Sequence, residues 1–160
     1  HFRPPSYAEQ NMVQMEEVVA NALSIVGRKF EDHDVCLFVD LEGSISDVFG
    51  QESQLTKMVV EILDQAMEAA EKSKDKWVAL CVENCDEFLE IKILDSRDST
   101  EVSYDSRGYP VMSKNKFWTN YVELITAAHG AEVYCEENES VSGVVVKIRA
   151  SNSENQSFAA

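Results

Sequence analysis

Apolar residues recur at Met12, Met15, Val18, Val19, Ala22, Leu23 and Val26. That three-and-four spacing marks one face of a helix, so residues 8–28 are expected to form an amphipathic helix with a buried stripe. EDHD then turns the chain, and VCLFVD (35–40), β-branched and aromatic, reads as a strand. GSISDVFG is a short extended piece between two glycines. A second helix is expected over 52–73, with Leu55, Met58, Val59, Ile62, Leu63, Ala66 and Ala69 on its buried face and Ser53 as a candidate cap. KSKDK leads out of it.

WVALCVE (77–83) and FLEIKILD (88–95) flank NCDE and read as a hairpin. Residues 96–115 are polar and turn-rich. A structureless stretch of that length inside a compact domain points to a lid or to a mobile segment. A third helix is expected over 116–128, stopped by His129 and Gly130. AEVYCEE and GVVVKIRA (143–150) form a last strand pair, and no internal repeat is visible. Helices on one face of a mixed sheet would bury all three stripes. The expected fold is therefore α/β (α+β), a two-layer sandwich. Residues 1–7 read as linker or cloning-derived sequence, 8–150 as the domain and 151–160 as a disordered tail.

Composition narrows the function classes. The chain has 160 residues, 44% hydrophobic and 27% charged, which suits one soluble domain with one core. No apolar run approaches the roughly 20 residues of a membrane helix, and the N-terminus lacks the apolar core of a signal peptide. A cytoplasmic protein without membrane contact is expected. The net charge of −15 opposes a phosphate backbone, so nucleic acid is not an expected partner. Cys36, Cys81, Cys85 and Cys135 show neither C-x-x-C nor zinc-like spacing, with Cys81 and Cys85 set around the expected hairpin turn. They read as small apolar residues in a reducing compartment.

Three polar positions carry candidate chemistry. Glu61 and Gln65 stand four apart and share one side of the second helix. They are either part of a site or residues of a solvated face. Asp95 ends a strand, as a turn residue or as a binding carboxylate.

The order of elements, with a long loop before the last helix, resembles the catalytic and ATP-binding domain of sensor histidine kinases, in the GHKL superfamily with gyrase and MutL. The resemblance covers about residues 5–150. The family's N box, roughly G-D-x-x-R-L-x-Q-V-L-x-N-L-L-x-N-A, stands here as GQESQLTKMVVEILDQAME, Gly50 to Glu68. Glu61 takes the first Asn position, where gyrase-like members also carry Glu, which implies a catalytic role. Gln65 takes the second, implying a ligand to the Mg²⁺ that bridges the nucleotide phosphates. The first glycine box, D-x-G-x-G, appears as DSRDS, with Asp95 at the position that accepts from the adenine amino group. Counting back from AHGAEV puts the second glycine box at Lys116, Phe117, Trp118 and Thr119.

Several positions depart from the family pattern. Arg97 and Ser99 replace the glycines of the first box. Arg97 would either pair with Asp95 or Asp98 and fill the pocket, or contact an anionic ligand. Trp118 would obstruct the helix terminus that normally meets phosphate, while Lys116 would still supply positive charge. Phe117, Trp118 and Tyr121 are core packing or a partner-binding patch. Glu68 stands where the family commonly carries a basic residue. At about 5 Å and an effective dielectric near 20 its repulsion of a phosphate charge is roughly 3 kcal/mol.

The resemblance thus implies a histidine-kinase ATPase-like domain of a bacterial two-component protein, with ATP and Mg as the family cofactors. By its departures it would be a degenerate pseudokinase, inactive in isolation and serving as an interaction module. A working ATP-binding domain of a divergent kinase is the alternative, as is an adaptor that docks a response regulator. The implied partners are an upstream dimerisation and phosphoacceptor domain, or a receiver domain, with a homodimer possible through a region outside this sequence.

Overall fold

The computed structural model describes residues 10–97, 103–104, 106–108, 110–111, 118–137 and 141–151. The segment read as linker (1–7) and residues 152–160 of the expected tail lie outside the described residues. Ser151, read as the start of that tail, is buried and donates its N–H (3.0 Å) and its Oγ–H (2.9 Å) to the Asp47 carbonyl. The chain opens with a short strand, β1 (Asn11–Val13), followed by α1 (Met15–Asp32), β2 (Cys36–Leu41), β3 (Val48–Gly50) and α2 (Glu52–Glu71). A hairpin follows, β4 (Trp77–Cys85) and β5 (Phe88–Asp95). A small ribbon, β6 (Ser103–Tyr104) with β7 (Pro110–Val111), precedes α3 (Asn120–Ala128), β8 (Glu132–Glu137) and β9 (Ser142–Arg149).

The main sheet has five strands in the order β2-β4-β5-β9-β8, with β2 parallel to β4 and every other pairing antiparallel. The helices lie on one face. Strand alternation sends Val78, Leu80 and Val82 of β4, Leu89, Ile91 and Ile93 of β5, and Val144, Val146 and Ile148 of β9 into the core. There they meet Val18, Val19, Ala22 and Val26 of α1 and Leu55, Met58, Ile62 and Leu63 of α2. This is the two-layer sandwich the hydrophobic pattern predicts.

Five local expectations are corrected. The first helix starts later than residue 8, because Met12 and Val13 pair with Phe49 and Val48 as a ribbon, and it continues to Asp32, burying Phe30. Gln51, not Ser53, is the N-cap of α2, without a side-chain cap bond. Ala69 is half-buried, and Met67 and Ala70 complete the α2 stripe instead. The hairpin turn is Asp86–Glu87, narrower than NCDE, with Asp86 in the left-handed region at φ 54°. Cys81 and Cys85 therefore both lie on β4 and do not flank the turn. The third helix begins at Asn120, four residues later than expected, because Thr119 caps it by accepting from the Val122 N–H at 3.4 Å.

His129 locks α3 to the start of α2. It follows the last residue of α3, and Gly130 takes the left-handed φ of 62° that ends the helix. The His129 Nδ1 lies 2.8 Å from the Ile125 carbonyl and so donates to it, which leaves Nε2 to accept from the Gln51 N–H at 3.1 Å. The ring needs a glycine at position 50: a Cβ there would stand 2.5 Å from its Cδ2. The far ends of α1 and α2 are joined by Lys29–Asp64 (3.4 Å) and His33–Glu71 (3.0 Å).

Two outcomes are expected. Gly50→Ala will lose about 1–3 kcal/mol in urea denaturation, and in the double variant with His129→Ala the two losses will sum to less than additivity. Hydrogen bonding to His33, followed by the charges of His33, Lys76 and Lys72, holds the Glu71 carboxyl below its ordinary 4.5. Its small surface contribution is thus present above that value and is lost as pH falls through the lowered one. His33→Ala should flatten the stability-versus-pH curve in that acid window.

Candidate functional site

The candidate residues fall in two clusters, Asp95 and Arg97 where β5 exits beside the end of α2, and Glu61 with Thr119 between the middle of α2 and the start of α3. Asp95 is the last residue of β5, and inward alternation leaves it 1% exposed. A buried carboxylate requires partners. Arg97 supplies them from two residues on. Its backbone N–H (2.9 Å) and Nε (2.8 Å) donate to Oδ1, and its Nη2 donates to Oδ2 at 2.8 Å. This is a two-pronged, charge-assisted pair. Of the two acidic partners the sequence offers Arg97, Asp95 is met in this way, and Asp98 lies outside the described residues.

The turn between them is fixed by hydroxyls. Ser96 Oγ accepts from the Trp77 N–H at 2.9 Å and lies 2.6 Å from Ser73 Oγ, which itself donates to the Ala70 carbonyl at 2.7 Å. The exit of β5 is thereby tied to the end of α2. Across the sheet Asp95 pairs with Ser142, which is also 1% exposed. Among the described residues the Ser142 Oγ has no hydrogen-bond partner. Sequence reading missed Ser142; only the β5–β9 register places it beside Asp95, and no local motif marks it.

Glu61 and Gln65 sit half-buried, one turn apart on α2, so the structure does bring them onto one side. The Glu61 Oε2 accepts a short hydrogen bond from the Thr119 hydroxyl. One side chain therefore caps α3 and holds the α2 carboxylate. Beside them Lys57 Nζ stands 4.3 Å from the centroid of the Tyr121 ring. Burial, and then the Glu61 charge, pushes the Tyr121 hydroxyl up, so it stays protonated at neutral pH. The Trp118 Nε1 donates to Glu123 at 3.3 Å within α3's first turns. Trp118 and Tyr121 are partly buried against the core, so packing accounts for both. Glu68 is exposed further along α2. Lys116, Phe117 and Asp98 lie outside the described residues.

The candidate Mg²⁺ ligand, Gln65, is half-buried on α2. Among the described residues the one group of His, Cys, Asp or Glu side chains that could hold a metal ion is Glu83, Cys85 and Glu90 on the open sheet face. There Glu90 is already matched by Lys92 (3.3 Å) and Lys147 (3.9 Å). No helix among the described residues is long and apolar enough to cross a membrane.

No protein-family model matches the chain, and no curated relative does. Solved structures do. The catalytic domain of histidine kinase ThkA superposes with a TM-score of 0.71 over 89% of this chain and 96% of its own, at 10% identity. ThkA in complex with response regulator protein TrrA gives 0.70, covering 91% and 43% at 11% identity. Acinetobacter baumannii histidine kinase AdeS gives 0.68, covering 90% and 68% at 15% identity. Full-length ShkA in complex with AMPPNP gives 0.67, covering 89% and 31% at 12% identity. The chain has the fold of a sensor histidine kinase catalytic domain.

Thr119→Val removes both the cap of α3 and the donor to Glu61. It should cost about 1–2 kcal/mol in urea denaturation. Glu61→Gln should cost less, since an amide oxygen still accepts from Thr119.

Proposed function

From that fold as premise, we propose that the chain is a histidine-kinase ATPase-like domain of a two-component signalling protein, with ATP binding weak or lost. It works as an interaction or regulatory module. The observation that carries this reading is the Arg97–Asp95 pair. A carboxylate offers about four acceptor positions, and Arg97 takes three at Asp95. An adenine amino group at Asp95 would be left one position, crowded by a guanidinium whose removal strands a buried charge.

Glu61, the candidate catalytic residue, is likewise engaged by Thr119. That bond occupies one of its acceptor positions and orients the carboxylate toward α3, and a role as base would further require a substrate within reach. This arrangement supports weak or lost binding of ATP and Mg²⁺, with Gln65 as the nominal metal ligand and Glu68 adding repulsion. The fold still suits signalling. ThkA, similar over 91% of this chain, was solved with a response regulator, and a receiver domain or an upstream phosphoacceptor domain is the partner class we assign.

One observation favours the alternative of a working nucleotide-binding domain. The Ser142 Oγ is buried beside Asp95 without a protein partner among the described residues, as a polar atom awaiting a ligand would be. ShkA, of the same fold, was solved with the nucleotide analogue AMPPNP.

Titration calorimetry separates the two. With ATP or ADP and Mg²⁺, the wild-type chain should give no saturable heat. Mg²⁺-dependent binding in the micromolar range would instead establish the alternative.

A further inference from the structure

The two edges of the main sheet differ. The β8 edge carries Glu132 and Glu136, charges that oppose an added strand. The β2 edge exposes large apolar side chains beside Asp40: Phe38 is 60% exposed, Val39 42% and Leu41 38%. Its backbone is equally available. The Cys36 N–H reaches the Lys76 carbonyl at 2.9 Å and the Glu42 N–H reaches the Val82 carbonyl at 3.0 Å, so even-numbered residues of β2 bond to β4. Leu37, Val39 and Leu41 therefore turn their N–H and C=O groups outward.

Charge is distributed unevenly along this edge. Its beginning adjoins the 72–76 turn, where Lys72, Lys74 and Lys76 stand with Asp34 and Asp75. Its end is acidic throughout, with Asp40, Glu42 and Glu83 around one recess. A strand that is mixed in charge at one end and acidic at the other complements itself when it runs antiparallel.

We propose that β2 pairs with β2 of a second copy of this chain, antiparallel about a two-fold axis at Val39, to form one continuous sheet. In that register Val39 faces Val39, and Leu37 faces Leu41 on both sides of the axis. All are outward-bonding residues, so the three pairs exchange hydrogen bonds in full. Residues paired across an antiparallel ladder share a face, so the leucines and valines meet on the helix side. Phe38 lies opposite Asp40 on the other face. The lysines of the 72–76 turn approach the acidic end of the partner. The contact is isologous and closed, and it uses up the free edge.

Sedimentation equilibrium on the full chain at high-micromolar concentration tests this. The wild type should show twice its 18.0 kDa mass. Val39→Lys and, as a second probe, Leu41→Lys should be monomeric with an unchanged circular dichroism spectrum. Phe49→Lys, at a residue 56% exposed on β3, should leave the dimer intact. Amide exchange at Leu37, Val39 and Leu41 should slow as concentration rises. A monomeric wild type would overturn the proposal, as would dissociation by Phe49→Lys equal to that by Val39→Lys.

Discussion

A carboxylate buried to 1% exposure at the end of a central strand constrains everything around it. The alternation of β5 sends Asp95 inward along with Ile91 and Ile93, and a charge there is tolerated only with close partners. The chain meets the requirement locally. Arg97 folds back over the turn and closes on both oxygens, while Ser96, between them, is tied to Ser73 and Trp77. The conformation leaving β5 is set by this cluster. In histidine-kinase-like domains a glycine is expected at the third position of D-x-G-x-G; here an arginine stands there and answers the aspartate itself.

The opposite wall follows the same logic. α3 is fastened along α2 at both ends, by Thr119 to Glu61 at its start and by His129 to Gln51 at its finish, with Lys57 over Tyr121 between. Gly50 belongs to this arrangement through absence of a side chain, since the His129 ring occupies the space a Cβ would need. Among the described residues the buried Ser142 hydroxyl beside Asp95 has no hydrogen-bond partner.

Much of the fold was legible in the sequence. The stripes of α1 and α2 and the β-branched strands fix faces by periodicity alone, and they determine the layers. Element ends were less legible. Thr119 caps α3 so that it starts four residues later than expected, and β1 is too short for its alternation to show against the helical stripe that follows. For the site, the spacing of Glu61 and Gln65 and the strand-end position of Asp95 were readable, because helix and strand geometry place them. The Thr119–Glu61 bond and the Ser142–Asp95 adjacency were not. Both join residues far apart in sequence, and nothing local encodes the register or docking that brings them together.

The dependence of the site on the Arg97–Asp95 pair is most directly measured by urea denaturation of Arg97→Ala, alone and combined with Asp95→Asn. Removing the guanidinium leaves a buried carboxylate unpaired, so the single variant should lose about 3–5 kcal/mol. Neutralising the carboxylate as well should recover a large part of that loss. An Arg97→Ala variant as stable as the wild type would contradict this account, because the Asp95 charge would then be met by something other than Arg97.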